Sequence, residues 1–197
     1  MGVMSLVIPD TPSSRISSTR SSGRSSRTQN LAFQIEDLLD YTFNVNNPEQ
    51  LQGVRCEGCN DQKVDCNKLL QISVLPQRYL VLHVNRTKFS PKTYKSYKCR
   101  NKVSFPLQGL DLEAWTAIAS ESESVVNSQE EISSIYDLYA IVVHHGRGFD
   151  VGHFTCYAKS PQTQIWYLYN DDRVHAVSEE EVAAAEAYLL FYQRRLI

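Results

Sequence analysis

Apolar positions in this chain fall mostly in short runs, not at helical spacing. Tyr79-Leu-Val-Leu-His-Val84, Leu138 to Val143 and Tyr188-Leu-Leu-Phe-Tyr192 are nearly continuous stretches of β-branched, aliphatic and aromatic residues. Such runs, the first closed by Asn85-Arg86, predict buried strands. Further strands are predicted near Phe154–Lys159, Ile165–Asn170 and Arg173–Val177. Two stretches read as helix. Phe33, Ile35, Leu38, Leu39 and Phe43 have amphipathic spacing over a turn or two. Ser178-Glu-Glu-Glu181 is a capping box ahead of a short helix through Ala183–Ala185, because Ser178 can accept the Glu181 amide while Glu181 reaches back. A mainly antiparallel sheet with few helices is an α+β fold.

Composition narrows the class. The 197 residues, 42% hydrophobic and 21% charged, suit one domain with a proper core. No apolar run approaches the roughly 20 residues that a membrane span needs. A net charge of −2 points to no partner, but the charge is unevenly spread. Residues 1–30 pair Ser doublets with Arg15, Arg20, Arg24 and Arg27 against Asp10 alone, which predicts a disordered tail and an ordered part over residues 31–197. Met1-Gly2 begins like a myristoylation signal, but Leu6 stands where Ser or Thr is needed. Five cysteines without a disulfide-like framework fit a reducing compartment. The expected location is therefore intracellular, cytoplasm or nucleus, with an organelle address left open by the Arg- and Ser-rich start. Arg86 to Lys102 is basic and interleaved with Phe89, Tyr94 and Tyr97. It reads as a hairpin turning at Ser90-Pro91-Lys92, whose lysines protect an exposed edge, in preference to a nucleic-acid stripe. Lys102 to Arg147 then holds acids and no Lys or Arg between them, with Asp137 at a strand start.

The candidate chemistry follows the Leu138–Val143 run. A loop with Gly146, Gly148 and Gly152 delivers His153 at the start of one strand, and the next strand, Trp166-Tyr-Leu-Tyr-Asn170, ends in Asn170-Asp171-Asp172. A His followed by an Asn at a neighbouring strand end is the base-and-orienter half of a Cys-His-Asn site. The Asn holds the imidazole in the tautomer that accepts a thiol proton.

Gly152-His153-Phe154-x-x-Tyr157-Ala158, Trp166-Tyr167-x-Tyr169-Asn170-Asp171-x-x-Val174 and Ala187-Tyr188-x-Leu-Phe191-Tyr192 resemble the histidine-box half of ubiquitin-specific proteases. Leu75-Pro76-x-x-x-Leu80-x-Leu82-His83-x-x-Arg86 resembles a central strand of that family's palm, and the resemblance covers roughly residues 33–194. It implies a papain-like palm and fingers without the N-terminal thumb part, in a cysteine-type deubiquitinase that cleaves after the C-terminal glycine of ubiquitin. His153 would be the base, Asn170 its orienter and Asp171 an assisting neighbour. Gly146, Gly148 and Gly152 would permit φ > 0 and close approach by a narrow peptide tail. Asp137 is expected to help hold ubiquitin's basic tail.

The family's Gly-x-Thr-Cys-Tyr box occurs nowhere in the chain. Thr155-Cys156-Tyr157 imitates it inside the histidine motif, but His153 and Cys156 are three apart on a strand and should face opposite sides. No cysteine reads as the nucleophile. Cys56-Glu-Gly-Cys59 is half of a zinc knuckle, expected to be empty because a structural zinc takes four ligands. Two function classes follow: part of a deubiquitinating enzyme whose Cys box is missing from this chain, or a catalytically inactive ubiquitin-binding pseudo-protease. A zinc-ribbon nucleic-acid binder is the distant third. Ubiquitin or ubiquitinated proteins are the expected partners, with no nucleic acid, no metal and no membrane span.

Overall fold

The three long apolar runs lie side by side at the centre of one sheet. The structure, a computed structural model, describes residues 2–10, 31–43, 48–60, 62–117, 133–146, 148 and 151–196. In chain order it contains β1 (Gly2–Val7), β2 (Ala32–Gln34), α1 (Ile35–Phe43), β3 (Glu49–Cys56), β4 (Gln62–Lys68), β5 (Tyr79–Asn85), β6 (Thr87–Ser90), β7 (Lys95–Lys98), β8 (Lys102–Ser104) and β9 (Leu110–Asp111). There follow β10 (Ile135–His145), β11 (His153–Lys159), β12 (Trp166–Asn170), β13 (Arg173–Val177), α2 (Glu179–Ala183) and β14 (Ala187–Arg194). The main sheet has the order β1-β5-β14-β10-β11-β12-β13, and β9 pairs with β10 off that path. Its pairs are antiparallel except β1 with β5, so the sheet is mixed. Few helices accompany it, as the α+β expectation requires.

One core joins the sheet to α1. Leu80, Leu82 and Val84 of β5, Leu138 and Ile141 of β10 and Leu190 of β14 are buried with Ile35, Leu38 and Leu39. The i, i+3, i+4 spacing of those helical residues puts them on one face. Each such side chain contributes about 1.5–3 kcal/mol by leaving water. Two aromatics serve the core and keep their hydroxyls satisfied. Tyr136 donates to the Pro76 carbonyl at 2.6 Å and Tyr192 to that of Pro106 at 2.9 Å. Ser178 caps α2 as the sequence suggests, accepting the Glu181 amide at 3.3 Å.

Two expectations need correction. Residues 2–10 are not a disordered tail. Gly2–Val7 pairs in parallel with β5, Leu6 opposite Val84, and Leu6 and Ile8 are fully buried. The backbone groups along the free edge of β5 need partners, and Met4-x-Leu6-x-Ile8 alternates as a half-buried strand does. Residues 11–30 lie outside the described residues. The basic run is likewise not uniformly solvated. It does form a hairpin, β6 with β7. Arg86 and Lys98 at its base, however, are only 2% and 8% exposed. A cation so deeply buried has to find carbonyls or a carboxylate, and both do.

Candidate functional site

β10 and β11 form a hairpin whose last rungs are Val143 with Thr155, His144 with Phe154 and His145 with His153. Both faces of this tip are fixed by side chains. On one face the His145 ring stacks on that of His153, centroids 6.2 Å apart, and its Nε2 lies 2.8 Å from Thr155 Oγ1. On the other, the buried His144 ring packs 4.8 Å from Phe154 and 6.2 Å from Tyr188. Burial, and then the neighbouring His153 and Lys98 charges, push the His145 pKa down.

β12 brings the second polar group. Cys156 pairs with Tyr169. Extending that register sets Asn170 across from Thr155, diagonal to His153 and on its face, within reach of two long side chains. The contact is made: His153 Nε2 lies 2.6 Å from Asn170 Oδ1. An amide oxygen only accepts, so Nε2 carries the hydrogen and the neutral ring keeps its lone pair on Nδ1. Among the described residues Nδ1 has no hydrogen-bond partner. Asp171, in the left-handed turn after β12 (φ 53°), places Oδ2 at 3.9 Å from the same Nε2.

The five cysteines are free and lie elsewhere. His153 shares its face with His145 and Thr155, whereas Cys156 follows Phe154 on the opposite face. Burial pushes the Cys156 thiol up, and its S–H points to the Tyr157 carbonyl. Cys99 is in the core, and Cys56, Cys59 and Cys66 belong to the separate β3–β4 hairpin.

The glycines act through space, not dihedral angle. A Cβ on Gly152 would lie 1.9 Å from His144 Nε2, and one on Gly146 would lie 2.8 Å from the Val151 carbonyl. Neither these nor Gly148 is among the residues with positive φ. What approaches Gly146 and Gly152 is the protein's own loop and the His144 ring. Gly148 has open space around it. Gly152→Ala should therefore displace His144 and destabilise the domain by about 1–3 kcal/mol, as overpacking does. A denaturation midpoint equal to that of the unsubstituted chain would refute this.

Asp137 does not sit beside the histidine loop. It is eight residues from His145 along β10, about 27 Å at strand rise. Its carboxylate is held by Arg195 (Nε at 3.0 Å) and the Gly109 amide (2.9 Å). Burial alone would raise its pKa, but these hydrogen bonds and the Arg195 charge bring it below the ordinary value. A cavity of about 710 Å³ lies around Asp137 and Tyr139 and so away from His153. A smaller one, about 220 Å³, lies between Lys98, Arg100, His144, His145 and Glu186. Glu121, Glu123, Glu130 and Glu131 of the acidic window lie outside the described residues.

At the β3–β4 hairpin, Cys56 and Cys59 face each other across a single helical turn. Hydrogen bonding from Cys59 lowers the Cys56 pKa. Among the described residues no third Cys, His, Asp or Glu joins them in a metal-binding group.

Comparison with known proteins places this chain in a family. The family model described as "Ubiquitin carboxyl-terminal hydrolase" matches residues 19–192. The chain belongs to that family. Ubiquitin carboxyl-terminal hydrolase 44-B of Xenopus laevis is 33% identical over 177 residues, which are 89% of this chain and 23% of that protein. Ubiquitin carboxyl-terminal hydrolase 3 of Homo sapiens is 36% identical over 158 residues, 80% of this chain and 28% of that protein. The chain thus spans under a third of either relative. Among solved structures, the SAGA Ubp8/Sgf11/Sus1/Sgf73 DUB module bound to ubiquitin aldehyde matches with a TM-score of 0.68 at 24% identity, over 100% of this chain and 36% of the other. That likeness establishes the fold. The family resemblance read from the histidine box thus stands, as does the strand-rich architecture with few helices. No helix among the described residues is long and apolar enough to cross a membrane.

Lys98, Arg100, Glu186, His145 and Thr155 were not singled out in the sequence as parts of the site. The His144-His145 doublet is visible there, but which ring is buried depends on pleat and register. Lys98 is indistinguishable from its solvated neighbours until β7 is placed.

Proposed function

We propose that this chain supplies the base-and-orienter half of a cysteine-type deubiquitinase, a ubiquitin-specific protease acting after the C-terminal glycine of ubiquitin. The observation that carries the reading is the His153 Nε2–Asn170 Oδ1 contact at 2.6 Å, which leaves Nδ1 with its lone pair. In this mechanism a thiol gives its proton to His153 Nδ1, and the thiolate attacks the glycine carbonyl. The leaving amine takes that proton from His153 as the carbon–nitrogen bond breaks, and water activated by the same ring then hydrolyses the thioester and restores the thiol. Asn170 fixes the tautomer throughout, and Asp171 stabilises the transient imidazolium. Ubiquitin as partner is supported by the family membership and by the ubiquitin aldehyde named with the Ubp8 complex. The chain itself holds no nucleophile in this reading. A cytoplasmic or nuclear place of action goes with it.

The test is release of a fluorophore from the C-terminus of ubiquitin. The chain alone should release none. Joined to the Cys-box segment of a relative, it should turn over substrate, and His153→Ala should abolish that turnover. Hydrolysis by the chain alone that disappears in His153→Ala would overturn the missing-nucleophile reading. Turnover of the joined form that ignores His153→Ala would overturn the role of the base.

No metal enters this scheme. Two thiolates leave half of a tetrahedral shell to solvent, too open for tight structural binding. Elemental analysis of the purified chain should find zinc well below one per chain. One tightly held zinc would mean that other residues complete the site with Cys56 and Cys59.

A further inference from the structure

The sheet narrows where His153 sits. Pairing of β10 with β14 ends at Val143 and Ala187, and pairing of β11 with β12 ends at Cys156 and Tyr169. Among the described residues, β10 and β11 pair beyond those rungs only with each other, over His144 to His145 and Phe154 to His153. A two-stranded ribbon is marginally stable by itself. The carbonyls of β10 that would have faced a continued β14 also need donors from elsewhere.

Two cations of the β7 segment stand in that place. Lys98 Nζ donates to the His144 carbonyl at 2.6 Å, and Arg100 donates to the Gly146 carbonyl at 2.9 Å. These carbonyls flank His145, whose rung partner is His153. The Lys98 side chain is only 3% exposed and has the Glu186 carboxylate at 3.3 Å, just before β14 begins. Arg86 completes the arrangement by donating to the Ala187 carbonyl at 2.9 Å, the residue where β14 starts. Burying an ammonium costs several kcal/mol unless it is paired and hydrogen-bonded. The lysine is both.

We propose that Lys98 and Arg100 are positioning residues. They replace the missing strand beside the end of β10 and so hold the His145–His153 rung against Asn170. The proposal rests on His153 being the base of the proposed function, but its test needs no turnover, so the two can fail separately. The experiment is NMR of this chain with labelled imidazoles, together with amide hydrogen exchange, for Lys98→Met, Arg100→Gln and Arg100→Lys. In the unsubstituted chain the neutral His153 ring should be mainly the Nε2–H tautomer. In Lys98→Met and Arg100→Gln that fraction should fall, and amides over 143–145 and 153–155 should exchange about tenfold faster, as expected from loss of one charge-assisted hydrogen bond. The Ala140–Ala158 rung should keep its protection. Arg100→Lys, which still offers a charged donor, should recover the tautomer. Arg100 is exposed, so Arg100→Gln carries the test even if Lys98→Met does not fold. An unchanged His153 tautomer in Arg100→Gln, or equal acceleration at the Ala140–Ala158 rung, would overturn the proposal.

Discussion

His153→Ala, in the chain joined to a Cys-box segment, should lower kcat/KM by about a thousandfold or more, whereas Asn170→Ala should lower it by about ten- to a hundredfold. Removing the imidazole removes proton transfer itself, and general base catalysis is typically worth 10²–10⁴-fold. Removing the Asn170 amide leaves the ring in place, paired through its stacking with His145 and with Asp171 Oδ2 at 3.9 Å from Nε2. What is lost is the bond that selects the tautomer, and Asp171 can take over part of it. Asn170→Ala with Asp171→Asn should then approach the loss of His153→Ala, because both acceptors near Nε2 are gone or weakened. Steady-state kinetics on the single and double variants decides the matter. Equal losses for His153→Ala and Asn170→Ala would show that orientation, not proton transfer, limits the reaction.

Arg86→Ala should be among the most damaging substitutions to stability, by about 3–5 kcal/mol, the range for breaking a buried charged network. Its Nε donates to Ala187 at 2.9 Å, and one terminal nitrogen donates to Cys99 at 3.3 Å and Asn101 at 2.9 Å. Those three carbonyls join the start of β14 to the link between β7 and β8. Truncation leaves them without that donor, opens a cavity and removes a cation from the neighbourhood of Glu186. Burial pushes the guanidinium pKa down, and the Glu186 charge opposes this only in part. Set against a total stability of about 5–15 kcal/mol for an ordinary domain, such a loss would unfold much of the population. Urea denaturation followed by tryptophan fluorescence reads it directly. A loss under about 1 kcal/mol would mean that the arginine adds little beyond filling space.

Most of the elements are legible in local stretches of the chain. The apolar runs at Tyr79, Leu138 and Tyr188 could only be satisfied by burial, and they became three adjacent strands. Helix spacing over Ile35–Phe43 and the Ser178 cap are equally local signals. The His153–Asn170 pair was also legible. It lies at the facing ends of two strands joined by a short turn, and antiparallel register brings such ends together. Tertiary structure alone decided what depends on long-range pairing. The start of the chain reads as the beginning of a Ser/Arg tail until the free edge of β5 claims Gly2–Val7. The glycines of the histidine loop read as a dihedral requirement, yet the tight packing at Gly152 comes from a buried His144 ring that lies eight positions away in sequence. Asp137 reads as leading into the loop, but β10 is long enough to carry it to the far end of the sheet, where Arg195 holds it. Lys98 looks like any surface lysine. It became a buried donor because β14 begins only at Ala187 and leaves the His144 carbonyl without a strand beside it.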